Sequence, residues 1–286
     1  MKSQNQLVCS AVISGHHGSV NYITQLSNGN LATCSDDSSI KIWDIVTNKL
    51  IATLEEHFSR VTCLVELLDK TLASGSFDTS IRLWDLSSTK CITQLTAHVS
   101  WVLFLLVLQD GRLASCSGDK TIRIWNIKNK TCPCTFKGHE GIINMIMQNK
   151  KGEIISCSED KTIKFWDIKK IECTKTITFE DSIISLCELK SGKLVLGTEK
   201  NITIYEDEKS KIEEGFNLSS KICEVGEDDT IAYGNEDGLL IVKNITNGNK
   251  IEGNKHDDTI NNVIYLQDGR LATCSNDALI CVWEIK

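Results

Sequence analysis

The chain carries no excess of basic residues: 31 Lys and Arg stand against 38 Asp and Glu, for a formal net charge of −7. A general binder of nucleic-acid backbones needs a clustered basic surface, so no nucleic-acid partner is expected. Long apolar runs are missing as well. The most apolar stretch, Trp101–Leu108, is far shorter than the roughly 20 residues that a spanning helix needs, so no membrane insertion is expected. No GxxxxGK[ST] segment is present to cradle phosphates. Cys132 and Cys134 are separated by one residue and no second pair follows at zinc-site distance, which leaves no metal and no cofactor to expect. Proline is almost absent, Pro133 being the only one.

Cysteine, by contrast, is plentiful. The count of thirteen is odd, and Cys34, Cys116, Cys157 and Cys274 recur at matching places, where they behave as small buried apolar residues rather than as a disulfide framework. A reducing compartment, cytoplasmic or nuclear, suits that use. The short apolar run Leu7–Ile13 is interrupted by Cys9 and Ser10 and serves better as a strand than as part of a signal peptide.

The organising feature is a repeat. Trp43, Trp84, Trp125 and Trp166 follow one another at intervals of 41 residues. A period of roughly 40–45 residues with a Trp-Asp ending and a His near its start is the signature of one four-stranded propeller blade. The first full repeat reads as strand Val20–Leu26, an Asn28-Gly29 turn, strand Leu31–Ser35, a turn at Asp36–Ser38, strand Ser39–Asp44, a loop at Thr47-Asn48 and strand Leu50–Leu54. Asp110-Gly111, Lys151-Gly152 and Asp268-Gly269 stand at the equivalent of the first turn. Two weaker repeats, Ile183–Tyr205 and Ile222–Lys243, complete a set of seven. The last repeat lacks an outer strand and Leu7–Ile13 is unused, so pairing them closes the ring and leaves no free edge. Pro133 falls in an outer strand, where a missing N–H is tolerated.

On these residues the sequence resembles the WD-repeat propeller family over essentially its whole length. The resemblance implies an all-β fold, a seven-bladed WD-repeat β-propeller closed by the N-terminal strand pairing with the last blade. It predicts a single domain over 1–286, with strong repeats at about 16–56, 57–97, 98–138, 139–179 and 256–286 plus 7–13, and degenerate ones at about 180–217 and 218–255. It further implies a buried hydrogen-bonded tetrad in each strong blade. The sets are His16, Thr33, Asp37 and Trp43; His57, Ser74, Asp78 and Trp84; His98, Ser115, Asp119 and Trp125; His139, Ser156, Asp160 and Trp166; and His256, Thr273, Asp277 and Trp283. The His-to-Trp spacing is 27 in all five. The degenerate repeats offer Glu180, Val195, Glu199 and Tyr205, then Tyr233, Asp237 and Lys243.

A Ser, a His and an Asp can also be a nucleophile, a base and its orienter. A triad is needed once and must open onto a cleft, whereas this set recurs five times with a Trp closing it, so it is assigned to stability and no catalytic residue is expected. Asn21, Asn144 and Asn261 share one register that could face a central cation, but Thr62, Leu103 and Ser185 are read as their counterparts and supply no carboxylate. A metal-dependent propeller hydrolase is accordingly disfavoured.

In the family the usual docking face bears the residue before the turn Asp and the residue three after the His. Here these include Asp36, Phe77, Gly118, Glu159 and Asn276, with Ser19, Arg60, Trp101, Ile142 and Thr259, and Ile183 in the fifth repeat. Only Arg60 is present among the arginines that phosphodegron readers carry there. Phe77, Trp101, Leu103 and Ile142 come from consecutive repeats and suit an apolar anchor sector, although Trp101 beside Val102 can equally be core packing. The candidate partner-binding residues are therefore Arg60, Phe77, Trp101, Leu103, Ile142, Ser19, Asp36, Glu159 and Asn276. The leading expectation is a non-catalytic scaffold that docks peptides or proteins, as a monomeric ring within a larger complex. A substrate receptor of a ubiquitin ligase is the alternative, weakened because Lys128, Lys169 and Lys286 only approximate the Arg of a WDxR motif.

Overall fold

In the computed structural model, which describes residues 6–198, 200–206, 209–214 and 218–286, the strands gather into seven four-stranded antiparallel sheets. Blade 1 takes Val20–Gln25 innermost, then Leu31–Ser35, Ser39–Asp44 and, outermost, Lys49–Glu55. Blades 2 to 4 repeat this order, opening on Val61–Glu66, Val102–Val107 and Ile143–Gln148. Blade 5 runs from Ile183–Glu188 to Lys209–Glu214, and blade 6 from Cys223–Val225 to Lys250–Asn254. Blade 7 is built from Ile260–Tyr265, Leu271–Ser275 and Leu279–Ile285, with Leu7–Ser14 as its outer strand.

Sequence dictates which strand is which. In six of the seven blades the second strand, such as Leu-Ala-Thr-Cys-Ser at Leu31–Ser35, is buried at every residue because a neighbouring blade covers each face. The outer strands alternate instead, Lys90–Thr96 turning one residue inward and the next to solvent, as a half-covered strand does. In the five blades with complete tetrads the turn before the third strand places a residue at positive φ: Ser38, Thr79, Lys120, Lys161 and Ala278, at 65° to 70°. None of these is glycine. The preceding aspartate makes that conformation tolerable, since its carboxylate accepts a backbone N–H two residues on, as from Ser39 to Asp37 at 2.9 Å.

The core is divided into seven clusters among the described residues, one at each junction between adjacent blades. The tetrad tryptophans lie in these junctions: Trp84 packs on Leu54 and Ile40 of blade 1, Trp125 on Leu83 and Ile81 of blade 2. The cluster joining blade 7 to blade 1 contains Ile13, Val20, Trp43 and Ile280, so the ring closes through a core contact. Closure is also made by a hydrogen-bonded strand pair: Leu7 pairs with Ile285 and Ser14 with Leu279, with one extra residue between Cys9 and Ala11. Gln6 and Lys286 extend the ladder by exchanging backbone hydrogen bonds of 2.7 and 2.9 Å.

Candidate partner-docking face and central channel

Each of the five strong blades holds its tetrad in the same geometry. In blade 2 the Trp84 indole N–H donates to Ser74 Oγ at 2.8 Å, that hydroxyl lies 2.7 Å from His57 Nε2, and His57 Nδ1 lies 2.7 Å from Asp78 Oδ2. A hydroxyl has one proton; having accepted from the indole, it donates to Nε2, and the imidazole is left with its proton on Nδ1 to give to the aspartate. The same chain runs through Trp43, Thr33, His16 and Asp37. It recurs through Trp125, Ser115, His98 and Asp119, and through Trp166, Ser156, His139 and Asp160. In blade 7 it joins Trp283, Thr273, His256 and Asp277. Every one of these hydroxyls is fully buried and already shared between two partners, so none meets a substrate.

Burial holds His98, His139 and His256 below the ordinary histidine pKa, against the opposing pull of their aspartates. Burial acts upward on the aspartates too, but the hydrogen bonds they accept outweigh it: Asp160, held by Thr162, Glu140 N–H and His139, is lowered to about 2.

In blade 5 the register departs from the one expected. Ile183 pairs with Thr198 as Val20 pairs with Ser35, and Leu194 with Tyr205 as Leu31 with Trp43. The residue at the hydroxyl position is therefore Leu196, not Val195, and the histidine position, four before the inner strand, is Phe179, not Glu180. Likewise Ser182, not Ile183, stands three after the histidine position, and Ile184, not Ser185, is the counterpart of Asn21. The cause is a turn one residue shorter, between Thr198 and Asn201 where blade 1 has Ser35 and Ser39. Glu199 lies outside the described residues. With no indole to satisfy, this blade fills the site with apolar groups, Phe179 and Tyr205 packing on the core between blades 4 and 5. Blade 6 places Tyr233 and Lys243 at the hydroxyl and tryptophan positions, as the pairing of Ile231 with Lys243 shows.

The two families of candidate docking residues are joined in pairs. The N–H of Asp36 donates to Ser19 O, Phe77 to Arg60 O, Gly118 to Trp101 O, Glu159 to Ile142 O and Asn276 to Thr259 O, at 2.9 to 3.0 Å. On this face, the Phe77 and Trp101 rings stack with centroids 4.5 Å apart and planes 6° apart. The Arg60 guanidinium sits 5.8 Å from the Phe77 centroid, and its Nε lies 3.4 Å from Asp36 Oδ2. Asp36, Arg60, Phe77 and Trp101 thus form one row across blades 1 to 3. Trp101 is 43% exposed, and Val99 and Phe58, two residues before Trp101 and Arg60 respectively, are 83% and 86% exposed. Trp101 lies outside the inner strand, which begins at Val102, and is partly covered by the Phe77 ring. Ile142 and Leu103 are half-buried, Ser19 is half-buried, and Glu159 and Asn276 are exposed.

The amides of the shared register stitch the blades together around the channel. Asn21 Nδ2 donates to Val61 O at 2.9 Å, Asn144 to Ile183 O at 2.9 Å and Asn261 to Val20 O at 2.9 Å, in each case the first inner-strand residue of the next blade. Thr62 and Ser219 make the corresponding bonds through their hydroxyls, to Val102 O and Ile260 O. Leu103 cannot, and the carbonyl of Ile143 accepts from Cys116 Sγ instead, at 3.3 Å. Among the described residues no group of three His, Cys, Asp or Glu is placed to hold a metal ion.

One residue of the channel was not foreseen. Leu218 bridges Asn235 as Val20 pairs with Ser35, and Cys223 pairs with Ala232 as Thr24 pairs with Ala32, so blade 6 has one residue more in this span than blade 1. The insertion swings Lys221 into the channel, its ammonium 4.3 Å from the Tyr22 ring and 4.1 Å from the Phe104 ring. Those rings meet edge to face, 6.0 Å apart. Burial lowers the Lys221 pKa to about 8, and the groups around it are the thiols of Cys63, Cys116, Cys34 and Cys274 rather than carboxylates.

Seven radial sheets, a polar tetrad repeated in five of them and a ring closed by its first strand define a repeat propeller. The family model for the WD domain, G-beta repeat, matches residues 7–44, 48–85, 89–126, 130–167 and 249–284, more than half of the chain, and the protein belongs to that WD40 family. Each matched segment starts at, or one residue before, the outer strand of one blade and ends on the third strand of the next, so 7–44 joins the closing strand of blade 7 to blade 1. The unmatched stretch is the one that lacks the tetrads. No curated protein matches the chain. Among the described residues there is no helix long and apolar enough to cross a membrane.

Proposed function

We propose that this propeller is a non-catalytic docking platform that binds a protein partner on the face of blades 1 to 3. The observation that carries the reading is the Phe77–Trp101 stack, an aromatic pair held on a face made of loops and backed by rigid strands. Arg60 is already engaged by Asp36 and by the Phe77 ring, which favours a partner that packs on the edges of the stack over one that needs a free arginine. The engagement of every tetrad hydroxyl supports a role without turnover. Thirteen cysteines, none paired among the described residues, support a reducing compartment, the cytosol or the nucleus.

The test compares quantitative affinity purification from the source cells with wild type and with the Phe77→Ala/Trp101→Ala double variant, after both melting temperatures are measured. Loss of a specific set of proteins by a normally folded variant supports the platform. Full retention of that set moves the docking surface elsewhere and sinks this reading.

A further inference from the structure

The repeats act as controls for one another, and one position sets blade 3 apart. The third strand carries a cation opposite the tetrad hydroxyl in four blades: Lys41, Arg82, Arg123 and Lys164. In blades 1 and 4 this is a lysine that donates to an outer-strand threonine, Thr53 at 3.1 Å and Thr176 at 3.0 Å. In blade 2 it is Arg82, whose Nη1 lies 3.1 Å from the Glu56 carboxylate, with the Phe58 ring 5.6 Å from the guanidinium carbon.

Blade 3 keeps the arginine and loses its partner. Ala97 stands where blade 2 has Glu56, and Val99 where it has Phe58. Arg123 Nη1 makes only long contacts to neutral groups, 3.7 Å to Cys132 Sγ and 3.4 Å to Thr135 Oγ1. Its Nε is shut off from solvent without a partner; Arg82 Nε is too, but only Arg82 has a carboxylate against its charge. A second exchange adds to the first. The residue paired across from Thr121 is Lys137, where blades 2 and 4 have Thr96 and Thr178 and blade 1 has Glu55.

These changes open onto a cleft of about 400 Å³ lined by Lys120, Arg123 and Lys137. The Lys120 ammonium donates to a backbone carbonyl, that of Glu140, which leaves its charge uncompensated. Asp119 is the one carboxylate in the lining, and it is turned to His98 and Thr121, at 2.7 and 2.6 Å. His139, also in the lining, is held toward its neutral form by burial. Three cations and one carboxylate leave the cleft strongly positive on a chain whose net charge is −7. A single carboxylate would balance Arg123 alone, as Glu56 balances Arg82. A phosphoryl group, which carries about −1.5 to −2 charges and three acceptor oxygens, matches the whole set, and the planar fork of an arginine is suited to it.

We propose that this cleft of blade 3 is a phosphoryl-binding site, in which the Arg123 guanidinium grips the oxyanion and Lys120 and Lys137 flank it. The site is separate from the aromatic row on the docking face and stands without it.

The test uses the full chain, titrated by calorimetry with inorganic phosphate, with O-phosphoserine, with acetate and with phosphoinositide-containing vesicles. Saturable binding of a phosphoryl compound, at least tenfold tighter than acetate, is expected. Lys137→Thr, which installs the blade 2 residue, should weaken it at least tenfold. Ala97→Glu, which installs the missing carboxylate, should abolish it while leaving the melting temperature unchanged or higher. That second variant guards against a loss caused by misfolding. O-phosphoserine bound as tightly as phosphate or more so identifies a phosphorylated side chain as the source; phosphate bound alone identifies the free ion. Binding unchanged in both variants, or no saturable binding to wild type, overturns the proposal, as does binding confined to phosphoinositide vesicles.

Discussion

Phe77 lies flat on Trp101, its ring 4.5 Å away and tilted by 6°, although the two residues belong to different blades. One is the residue before a turn aspartate and the other immediately precedes the next inner strand, so the stack exists because blade 2 and blade 3 are fixed side by side. Aromatic pairs of this kind contribute about 0.5–1.5 kcal/mol beyond area burial. A double-mutant cycle on Phe77→Ala and Trp101→Ala, read by urea denaturation, should return a coupling energy in that range, and the single variants should stay folded. Additive effects would show that the stack is no more than two neighbouring side chains.

Removing one tetrad aspartate has a different outcome from removing a surface one. Asp78→Ala leaves the buried Nδ1–H of His57 without its acceptor and frees the turn that Ser80 closes on the same carboxylate. The expected cost is about 1–3 kcal/mol. Asp69→Ala, at an exposed turn, is the control. Equal melting temperatures for the two variants would remove the structural assignment of the tetrad.

The tetrads also set the response to acid. His98, His139 and His256 bind their protons less readily in the folded chain than the unfolded value of about 6.5, so as the pH falls through that value the unfolded state takes up more protons and stability drops. The aspartates act lower down. Their folded pKa values are depressed, to about 2 for Asp160, so their contribution is full above about pH 4 and is lost as the pH falls toward 2. Both signs agree. The melting temperature should decline from pH 7 to pH 5 and again below pH 4, and a flat profile from 7 to 5 would contradict the histidine part.

How much of this was legible in the sequence depended on whether a residue repeats. The tetrad of Trp84 could be read because His57, Ser74 and Asp78 recur at the same spacing in four other blades, and the closing strand because Leu7–Ile13 had no partner of its own. The row from Asp36 to Trp101 was legible as positions on one face, but the ring stack was not, since it depends on how two blades meet. Blade 5 was misread by one residue because its turn between Thr198 and Asn201 is shorter, and no tryptophan was there to fix the register. Lys221 was invisible for the opposite reason: an extra residue between Leu218 and Cys223 decides where it points, and only the pairing of Leu218 with Asn235 reveals the insertion.

Lys221 offers a prediction in which other titrating groups cancel. Its ammonium is held between Tyr22 and Phe104 without a carboxylate, and burial lowers its pKa to about 8. A folded pKa below the unfolded value of about 10.4 means that the unfolded state binds more protons between those two values, so this lysine's cost is full below pH 8 and fades as the pH rises toward 10. Lys221→Met keeps the volume and the contact with the rings while removing the charge. The variant should be more stable than wild type by about 1–3 kcal/mol at pH 7, and the gap should narrow by pH 9.5. Burial holds the neighbouring thiols and the Tyr22 hydroxyl well above their ordinary pKa in the folded protein, so they stay largely protonated there at both pH values, and their titration in the unfolded chain is common to the two proteins. A variant less stable than wild type at pH 7 would mean that the two rings hold the cation more strongly than burial disfavours it.

The closing strand decides whether the ring behaves as one unit. Leu7–Ser14 covers the outer edge of Leu279–Ile285, and Ile13, 2% exposed, belongs to the core between blades 7 and 1. Deleting residues 1–14 would bare that edge and open the core at the same seam. An unpaired strand edge next to exposed apolar surface invites pairing with another chain. The deleted protein should therefore elute as oligomers or aggregates in light-scattering chromatography. Ile13→Asp is the milder counterpart: it leaves the strand in place but buries a charge without a partner, at a cost of several kcal/mol. A subtler variant, Val12→Thr, changes a residue that is 43% exposed on the same strand and should leave melting unchanged. If the deletion gave a monomer melting like wild type, blades 1 and 7 would be joined well enough by their inner strands alone, and the strand borrowed from the start of the chain would have no part in holding the ring shut.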